Sequence, residues 1–251
     1  MAPRMEPLRI HLWSGPRNVS TALMYSFAQR SDTRVVDEPL YAHYLRVSGA
    51  EHPGRDEVLA AQDADGERVV RDVILGPWDR PVVFFKQMAH HLVDLDRAFL
   101  RRGVNVLLTR DPLDMLPSLR VQIPRPSLRD TGYATQVALL DELLAAGQDP
   151  PVLDARELLL DPEGVLQQLC ARLGLQFDPA MLRWPAGPRP EDGVWARHWY
   201  EAVHRSTCFQ PYRPKQEAFP ERLRPLLAEC GPYHTRLAAR ALRARPERTN
   251  A

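Results

Sequence analysis

The chain has 251 residues and a formal net charge of +1, and 44% of its residues are hydrophobic while 26% are charged. This length allows a sizeable core, and the balanced charge argues against nucleic acid or a membrane surface as a partner. The three cysteines show no metal-ligand spacing, and the sequence contains no signal peptide and no apolar run of membrane-spanning length. We therefore expect reduced thiols, no metal site and a cytoplasmic location.

Short apolar runs alternate with helical patterns along the chain. The predicted strands are 8–13, 33–36, 81–86, 104–109 and 151–155, and the predicted helices are 18–30, 94–102, 112–120, 133–146 and 162–173. Strands separated by helices predict an α/β fold with a parallel sheet, in which ligands bind beyond the carboxyl ends of the strands.

The remaining segments divide into loops, a C-terminal helical portion and a tail. Residues 39–80 and 121–135 are polar and contain proline and arginine, so we interpret them as variable loops. We expect a single domain over 1–240 that includes the helical C-terminal portion, and a basic, disordered tail over 241–251.

A strand, a Gly-Pro turn and a helix start meet in LRIHLWSGPRNVSTA, residues 8–22. When Gly15 is placed on the first glycine of the pattern G-x-x-x-x-G-K-[ST], Thr21 falls on the lysine and Ala22 on the metal-binding hydroxyl. Backbone N–H groups at the helix start still favour an anion, but the groups that serve nucleoside triphosphates are missing. The loop suits a single phosphate group, although an ordinary capped helix start has the same pattern.

A second candidate anion site lies in VNVLLTRDPLDMLPSL, residues 104–119. Arg110 emerges at the end of a buried strand, and Ser118 lies about two helical turns further on. A guanidinium and a hydroxyl together can hold a terminal phosphate. Alternatively, Arg110 forms a surface ion pair with Asp111 or Asp114. Two anion sites at strand ends favour a nucleotide with phosphate groups at two places.

Three blocks of the sequence resemble the sulfotransferases that use 3′-phosphoadenylyl sulfate (PAPS). WSGPRNVSTAL is similar to their 5′-phosphosulfate loop, and LLTRDPLDMLPSL is similar to their 3′-phosphate signature R-x-P-x-D-x-x-x-S. Residues 151–182 resemble the stretch that carries a strand, an E-x-L element, a D-P helix start and an L-G-L close. The resemblance covers about residues 8–200 and is strongest to the bacterial sulfotransferase-like group, which is related to the segment attached to plant branched-chain-aminotransferase-like proteins. It implies a P-loop-type, sulfotransferase-like sheet flanked by helices.

The resemblance also implies which residues bind the nucleotide. The cofactor-binding residues that it implies are Gly15, Arg17, Asn18, Ser20 and Thr21 for the 5′-phosphosulfate, Arg110 and Ser118 for the 3′-phosphate, and Arg189. DGVWARHW, residues 192–199, is similar to the late loop that closes over the nucleotide. Trp195 and Trp199 stand at helical spacing and are interpreted as packing residues.

Lys86 and two candidate bases complete the predicted centre. Lys86, one of only two lysines in the chain, follows an apolar run and resembles the family lysine that contacts the transferring group. Glu38 stands where carboxylate-using members have an E-P pair, and we favour it as the base. His90 is the alternative, because the position of the family histidine is occupied by Met88. The competing interpretations are a helix-start carboxylate for Glu38 and a packed or solvated residue for His90 and His91.

These features imply an enzyme that moves a sulfuryl group from PAPS to a hydroxyl or amine, without a metal, and releases adenosine 3′,5′-bisphosphate (PAP). The acceptor is expected to be a small molecule, and Arg120, Arg125 and Arg129 suggest that it is anionic. The oligomeric state stays open. Two alternatives remain at this stage: a P-loop nucleotide kinase or NTPase, and a non-catalytic PAP-binding or partner-docking domain.

Overall fold

The sheet has five parallel strands in a computed structural model that describes residues 6–246. The strands are β1 (Leu8–Ser14), β2 (Thr33–Asp37), β3 (Val82–Met88), β4 (Val104–Thr109) and β5 (Val152–Asp154). Their spatial order is β2-β3-β1-β4-β5, and every neighbouring pair is parallel. The predicted α/β fold with a parallel sheet is confirmed. β1 lies at the centre, so the loop that follows it opens onto the ligand-binding edge.

Helices cover both faces of the sheet. They are α1 (Ser20–Phe27), α2 (Tyr41–Ser48), α3 (Arg55–Ala61), α4 (Gly66–Val69), α5 (Pro112–Leu119), α6 (Leu128–Thr131), α7 (Tyr133–Ala145), α8 (Ala155–Leu160), α9 (Pro162–Arg172), α10 (Ala196–Trp199), α11 (Glu201–His204) and α12 (Arg224–Ala238). A π-helical turn spans Val70–Ile74, and 3₁₀ turns span Ala89–His91, Arg97–Arg102, Pro179–Leu182 and Glu221–Leu223. No helix within residues 6–246 is long and apolar enough to cross a membrane.

Two apolar layers sandwich the sheet, because strands buried on both faces carry apolar residues at successive positions. One layer packs α1 and α9 on the sheet, with Phe27 stacked on Phe84 at a ring-centroid distance of 4.2 Å. The other layer packs α7 and α12 on the opposite face. Side-chain caps fix two of the helix starts: Asp111 accepts a hydrogen bond from the backbone N–H of Leu113 at α5, and Asp161 accepts one from that of Gly164 at α9.

The structure corrects several predicted elements. Residues 39–80 are largely helical rather than looped, because the apolar side chains of α2 pack into a third buried cluster together with Trp195. The start of α2 carries no side-chain cap, so the usual sequence signal is missing. The predicted helix 94–102 is a 3₁₀ turn, and β3 continues two residues beyond Lys86.

The described part of the C-terminal tail is attached to the body of the protein. Leu242 donates a backbone hydrogen bond to Val152, and the guanidinium of Arg245 pairs with Asp161 at 2.6 Å. Among residues 241–246 the basic side chain of Arg245 thus finds an acidic partner, while the predicted disordered tail over 241–251 stays a prediction. Residues 247–251 lie outside the described part of the chain, and the single domain over 1–240 stays a prediction.

Candidate active site

An open cavity of about 280 Å³ lies at the carboxyl ends of the strands. Its wall contains nine predicted site residues, which are Arg17, Asn18, Ser20, Thr21, Glu38, Lys86, His90, Arg110 and Ser118. The parallel sheet brings them together because β1, β2, β3 and β4 all end at this edge. Of the other two predicted residues, Gly15 stands next to the cavity-lining Pro16, and Arg189 lies elsewhere.

The loop after β1 is shaped by a close approach of two backbones. A Cβ atom added at Gly15 would lie 2.8 Å from the carbonyl oxygen of Thr131, so a side chain there would displace one of the two segments. Arg17 has a φ of 54°, in the left-handed region that residues with a Cβ rarely adopt. Asn18 anchors the loop by donating to the carbonyl oxygen of Leu108 at 2.9 Å.

The start of α1 offers unused donors to the cavity. Val19 supplies no side-chain cap, and the backbone N–H groups of Ser20, Thr21 and Ala22 form no hydrogen bond with another described residue. Free N–H groups at a helix start carry the positive end of the helix dipole and favour a bound anion. The predicted nest of donors is thus present in the geometry of the loop.

Arg17 and Arg110, called the arginine pair below, bring two positive charges to the same end of the cavity. Arg17 Nε donates to Ser118 Oγ at 3.0 Å, and Arg110 Nη1 donates to the carbonyl oxygen of Arg17 at 2.8 Å. Burial, and then the neighbouring charge of Arg110, hold the pKa of Arg17 below its usual value. Neither arginine has a carboxylate within 4.0 Å among residues 6–246.

The alternative interpretation of Arg110 as a surface ion pair does not describe this geometry. The Asp111 carboxylate caps α5 instead, by accepting from the N–H of Leu113 at 2.8 Å. Two half-buried guanidinium groups without a counter-charge are costly unless an anion joins them. This end of the cavity therefore fits a phosphate group.

Lys86 also lines the cavity, within a cluster of buried polar groups. The lysine cluster consists of Lys86, Asp37, Glu38 and Tyr200. Lys86 Nζ lies 2.9 Å from Asp37 Oδ1 and 2.6 Å from the Tyr200 hydroxyl, and it also bonds Glu38 Oε1. Asp37 and Lys86 are direct partners in the β2–β3 register, which places both side chains on one face of the sheet.

The electrostatics of the lysine cluster keep Lys86 charged. Burial alone would lower the pKa of Lys86, but the carboxylates of Asp37 and Glu38 raise it above its ordinary value. Burial raises the pKa of Glu38, and the nearby charge of Asp37 adds to this rise while the charge of Lys86 opposes it. A carboxylate with a raised pKa is better matched to accept a proton near neutral pH.

The backbone at Glu38 is strained in the same way as at Arg17. Glu38 has a φ of 39°, and its N–H donates to the carbonyl oxygen of Lys86 at 2.8 Å. Such conformations cost about 1–3 kcal/mol and are concentrated at functional sites. α2 begins only at Tyr41, so the side chain of Glu38 serves the lysine cluster rather than the helix dipole.

Two adjacent histidines follow β3: His90 is half-buried in the cavity wall, and His91 is buried beside Glu38. His90 lines the cavity with its ring 4.9 Å from that of Tyr44, and burial lowers its pKa to about 3. His91 Nε2 lies 3.9 Å from Glu38 Oε2, and burial lowers its pKa as well. Both rings are thus neutral near pH 7 and hold a proton weakly, which favours Glu38 over His90 as the base.

Several residues of the site escaped sequence reasoning. Asp37 was not singled out because the E-P pair directs attention to its neighbour Glu38. Tyr200 has no sequence signal apart from its position directly after the late loop. Trp195 packs as predicted but also donates from Nε1 to the Tyr200 hydroxyl at 3.0 Å. Trp199 lines the cavity, and its carbonyl oxygen accepts from Arg17 at 3.2 Å. Both tryptophans therefore belong to the site as well as to the packing.

Arg189 lies outside the cavity wall. Its guanidinium carbon sits 5.0 Å from the centre of the Tyr25 ring, and its backbone N–H donates to Asp192 at 2.9 Å. Asp192 also accepts from the Tyr25 hydroxyl at 2.6 Å and lies 2.9 Å from His204 Nε2. The structure thus places Arg189 in the anchor that holds the late loop against α1.

The strand order, the loop after β1 and the residues of the cavity together define a P-loop-type α/β protein. The edge of its sheet where the strands end carries two arginines and a lysine that is paired with two carboxylates. A family model described as a sulfotransferase domain matches residues 8–241, and the chain belongs to that family. Solved structures of similar fold are the sulfotransferase domain of the Synechococcus PCC 7002 olefin synthase and a sulfotransferase from Alicyclobacillus acidocaldarius. The first has a TM-score of 0.53 at 18% identity, and the match covers 92% of this chain and 98% of that domain. The second has a TM-score of 0.52 at 14% identity, and the match covers 94% of this chain and 95% of that protein.

Curated relatives come from Arabidopsis thaliana. Branched-chain-amino-acid aminotransferase-like protein 1 is 46% identical over 216 residues, and protein 2 is 42% identical over 226 residues. The matches cover 86% and 90% of this chain but only 39% and 40% of the relatives, so the chain spans about two fifths of their length. The resemblance found in the sequence, to the sulfotransferases and to the segment of the plant proteins, is confirmed.

Proposed function

We propose that the protein transfers a sulfuryl group from PAPS to a hydroxyl or amine of a small-molecule acceptor. The observation that carries the proposal is the arginine pair: two positive charges that, within the described part of the chain, have no carboxylate partner and lie beside Ser118 and the unpaired N–H groups of α1. Membership of the sulfotransferase domain family supports PAPS as the donor. We further propose that no metal ion takes part and that PAP is the nucleotide product.

The residues at this end of the cavity fit a donor with two separate phosphate groups. The N–H groups of α1 with Ser20 and Thr21 would hold the 5′-phosphosulfate, and Arg110 with Ser118 would hold the 3′-phosphate. Arg17 stands between the two positions, because it lines the cavity in the loop before α1 and already bonds Ser118. When bound, PAPS supplies an activated sulfuryl group on a phosphate leaving group.

The lysine cluster supplies the two groups that sulfuryl transfer requires. Glu38 accepts the proton of the acceptor, and Lys86 donates to the oxygen on which charge develops as the bond to phosphate breaks. The rest of the rate acceleration comes from holding the reacting groups in line. This role of Glu38 is supported by its 10% exposed side chain, which lines the cavity while the side chain of its neighbour Asp37 is buried.

The residue types in the cavity wall beside Glu38 bear on the chemical nature of the acceptor. Aromatic rings of Tyr41, Tyr44, Trp195 and Trp199 form much of it, whereas Arg120, Arg125 and Arg129 lie outside the lining. The cavity therefore lends no support to an anionic acceptor, and we propose an acceptor with an apolar body. A cytoplasmic site of action stays part of the proposal.

Nucleotide binding tests the proposal and separates it from a kinase or NTPase. PAP at about 100 times its dissociation constant should stabilise the protein by about 2.7 kcal/mol, which raises the melting temperature by about 5–10 °C. ATP with Mg²⁺ should give a much smaller shift, because Thr21 replaces the P-loop lysine and Ala22 replaces the residue whose hydroxyl binds the metal. A larger shift with ATP and Mg²⁺ than with PAP would contradict the proposal.

A further inference from the structure

Lys86 has no hydrogen-bond donor to spare. A protonated lysine carries three N–H groups, and the three partners of Lys86 Nζ are Asp37 Oδ1, Glu38 Oε1 and the Tyr200 hydroxyl. The side chain of Lys86 is 2% exposed. To donate to a leaving oxygen, Lys86 must therefore release one of these three partners.

The Tyr200 hydroxyl is also fully used, and the direction of each bond follows from the groups involved. Trp195 Nε1 and Lys86 Nζ can only donate, so the oxygen of Tyr200 accepts from both of them. Its single hydrogen then goes to Asp37, whose Oδ2 lies 2.7 Å away. Burial, and then the charges of Asp37 and Glu38, raise the pKa of Tyr200, so the hydroxyl keeps this hydrogen.

The two carboxylates of the lysine cluster are held very differently. Asp37 accepts from Lys86, from Tyr200 and from the backbone N–H of Gly193 at 3.2 Å, and its side chain is 1% exposed. Glu38 accepts from Lys86, faces His91 at 3.9 Å and is 10% exposed toward the cavity. The bond between Lys86 and Glu38 is therefore the one that can open without disturbing the rest of the cluster.

We propose that Asp37 and Tyr200 are positioning residues that hold Lys86 as a charged, aimed donor, while its bond to Glu38 opens during transfer. The proposal rests on the proposed function. The proton of the acceptor passes to a carboxylate oxygen of Glu38, and the acceptor oxygen or nitrogen forms the new bond to sulfur. The electron pair of the broken bond goes to the leaving phosphate oxygen, and the N–H that Lys86 no longer gives to Glu38 donates there.

Asp37 has a distinct task in this step. When Glu38 takes up the proton it becomes neutral, and without Asp37 the leaving phosphate oxygen would then be the one negative group facing Lys86. The other described side chains around Lys86 supply no further negative charge, because His91 is neutral and Tyr41 keeps its hydrogen. Asp37 thus keeps Lys86 charged on both sides of the proton transfer.

The small number of lysines makes this inference directly measurable. Lysine labelled with heavy nitrogen at Nζ gives two side-chain signals in the full chain, from Lys86 and Lys215, and the Lys215→Arg variant assigns them. In the wild type, Lys86 should remain a protonated ammonium up to a higher pH than Lys215. Asp37→Asn should weaken proton binding by Lys86 by about tenfold or more, and an unchanged titration would overturn the role of Asp37. The titration needs no turnover.

Tyr200→Phe provides the second measurement and preserves the ring packing. Release of inorganic sulfate from PAPS into water serves as the rate, and PAP binding serves as the affinity. We expect sulfate release to fall roughly 10- to 100-fold with the dissociation constant of PAP unchanged, whereas Tyr233→Phe, outside the cavity wall, should change neither. A wild-type rate in Tyr200→Phe, or an equal loss of PAP affinity, would overturn the role of Tyr200.

Absence of PAP binding in the wild type would instead remove the proposed function, while the Lys86 titration would still be readable.

Discussion

The arginine pair and the lysine cluster carry their positive charge in opposite ways. The arginine pair lies without a carboxylate partner among the described residues, whereas Lys86 is surrounded by two carboxylates and a hydroxyl. An unpaired, partly buried cation is stabilised when an anion arrives, while a paired one is already stable and can act on a group that develops charge later. The comparison supports the proposal that the arginine pair binds the donor and the lysine cluster carries out the transfer.

The largest expected effect comes from removing the charge of Glu38. Glu38→Gln should lower sulfate release from PAPS by about 10²- to 10⁴-fold, because a glutamine cannot take up the acceptor proton. PAP binding should persist, since the arginine pair is untouched. Rate and PAP affinity measured on the same preparation check both statements.

A carboxylate elsewhere provides the control for Glu38. Glu142 forms a partly exposed ion pair with Arg97 at 2.7 Å, so Glu142→Gln should leave the rate unchanged. Normal turnover in Glu38→Gln would pass the role of base to His90 or to the substrate itself, and the division between the arginine pair and the lysine cluster would fail.

Arg110→Ala should weaken PAP binding by roughly 10- to 100-fold and remove most of the thermal shift. The ligand-free protein should lose little stability, because Arg110 has no carboxylate partner among residues 6–246 to leave behind. Arg34→Ala is the matched control, since Arg34 forms an exposed pair with Asp79 at 2.7 Å and should keep the full shift. Retention of that shift in Arg110→Ala would place the 3′-phosphate elsewhere.

The half-buried His90 predicts a dependence of stability on pH. His90 has a pKa of about 3 in the folded protein and about 6.5 when unfolded, so the unfolded chain binds the extra proton between these values. Its contribution to stability is complete above about pH 6.5 and is lost as the pH falls, by about 1.4 kcal/mol per pH unit. Urea unfolding of His90→Asn across this window should show a slope shallower by that amount.

The exposed His198 supplies the comparison for that experiment. His198→Asn should keep the wild-type slope, because it leaves His90 and its surroundings in place. An equal change of slope in the two variants would mean that His90 is not the source of the pH dependence.

The smallest effect is expected at Arg189. Arg189→Ala removes a cation over the Tyr25 ring and should cost about 0.5–1 kcal/mol of unfolding free energy. The thermal shift caused by PAP should remain, because Arg189 does not line the cavity. Loss of the PAP-induced thermal shift in Arg189→Ala would show that the late loop brings Arg189 to the nucleotide. Arg189 would then belong to the nucleotide-binding site as well as to the loop anchor.

Local patterns in the sequence were sufficient to predict the sheet and to bring two candidate phosphate-binding blocks to one edge of it. Alternating apolar runs and helices predict a parallel sheet, and the carboxyl ends of its strands must then share one edge. Gly15 through Thr21 and Arg110 through Ser118 each form a short contiguous block that begins at a strand end. For that reason the residues of both blocks were found without a structure.

Helices that depend on packing were not predictable in the same way. α2 has no side-chain cap and is only eight residues long, so its stability comes from packing Tyr41 and Tyr44 against the late loop. The attached tail is a similar case. A basic segment is typical of a frayed end until the fold brings Asp161 and Glu157 within reach.

The sequence by itself determined the order of the strands along the chain, two candidate phosphate-binding blocks, and Glu38 and Lys86 as candidate catalytic residues. Only the tertiary structure decided their environment. The β2–β3 register sets Asp37 beside Lys86, and the late loop brings Tyr200 to both from more than a hundred residues away. Hydrogen bonds between such distant side chains leave no pattern in a single sequence, because neither spacing nor composition records which surfaces meet when the sheet is covered.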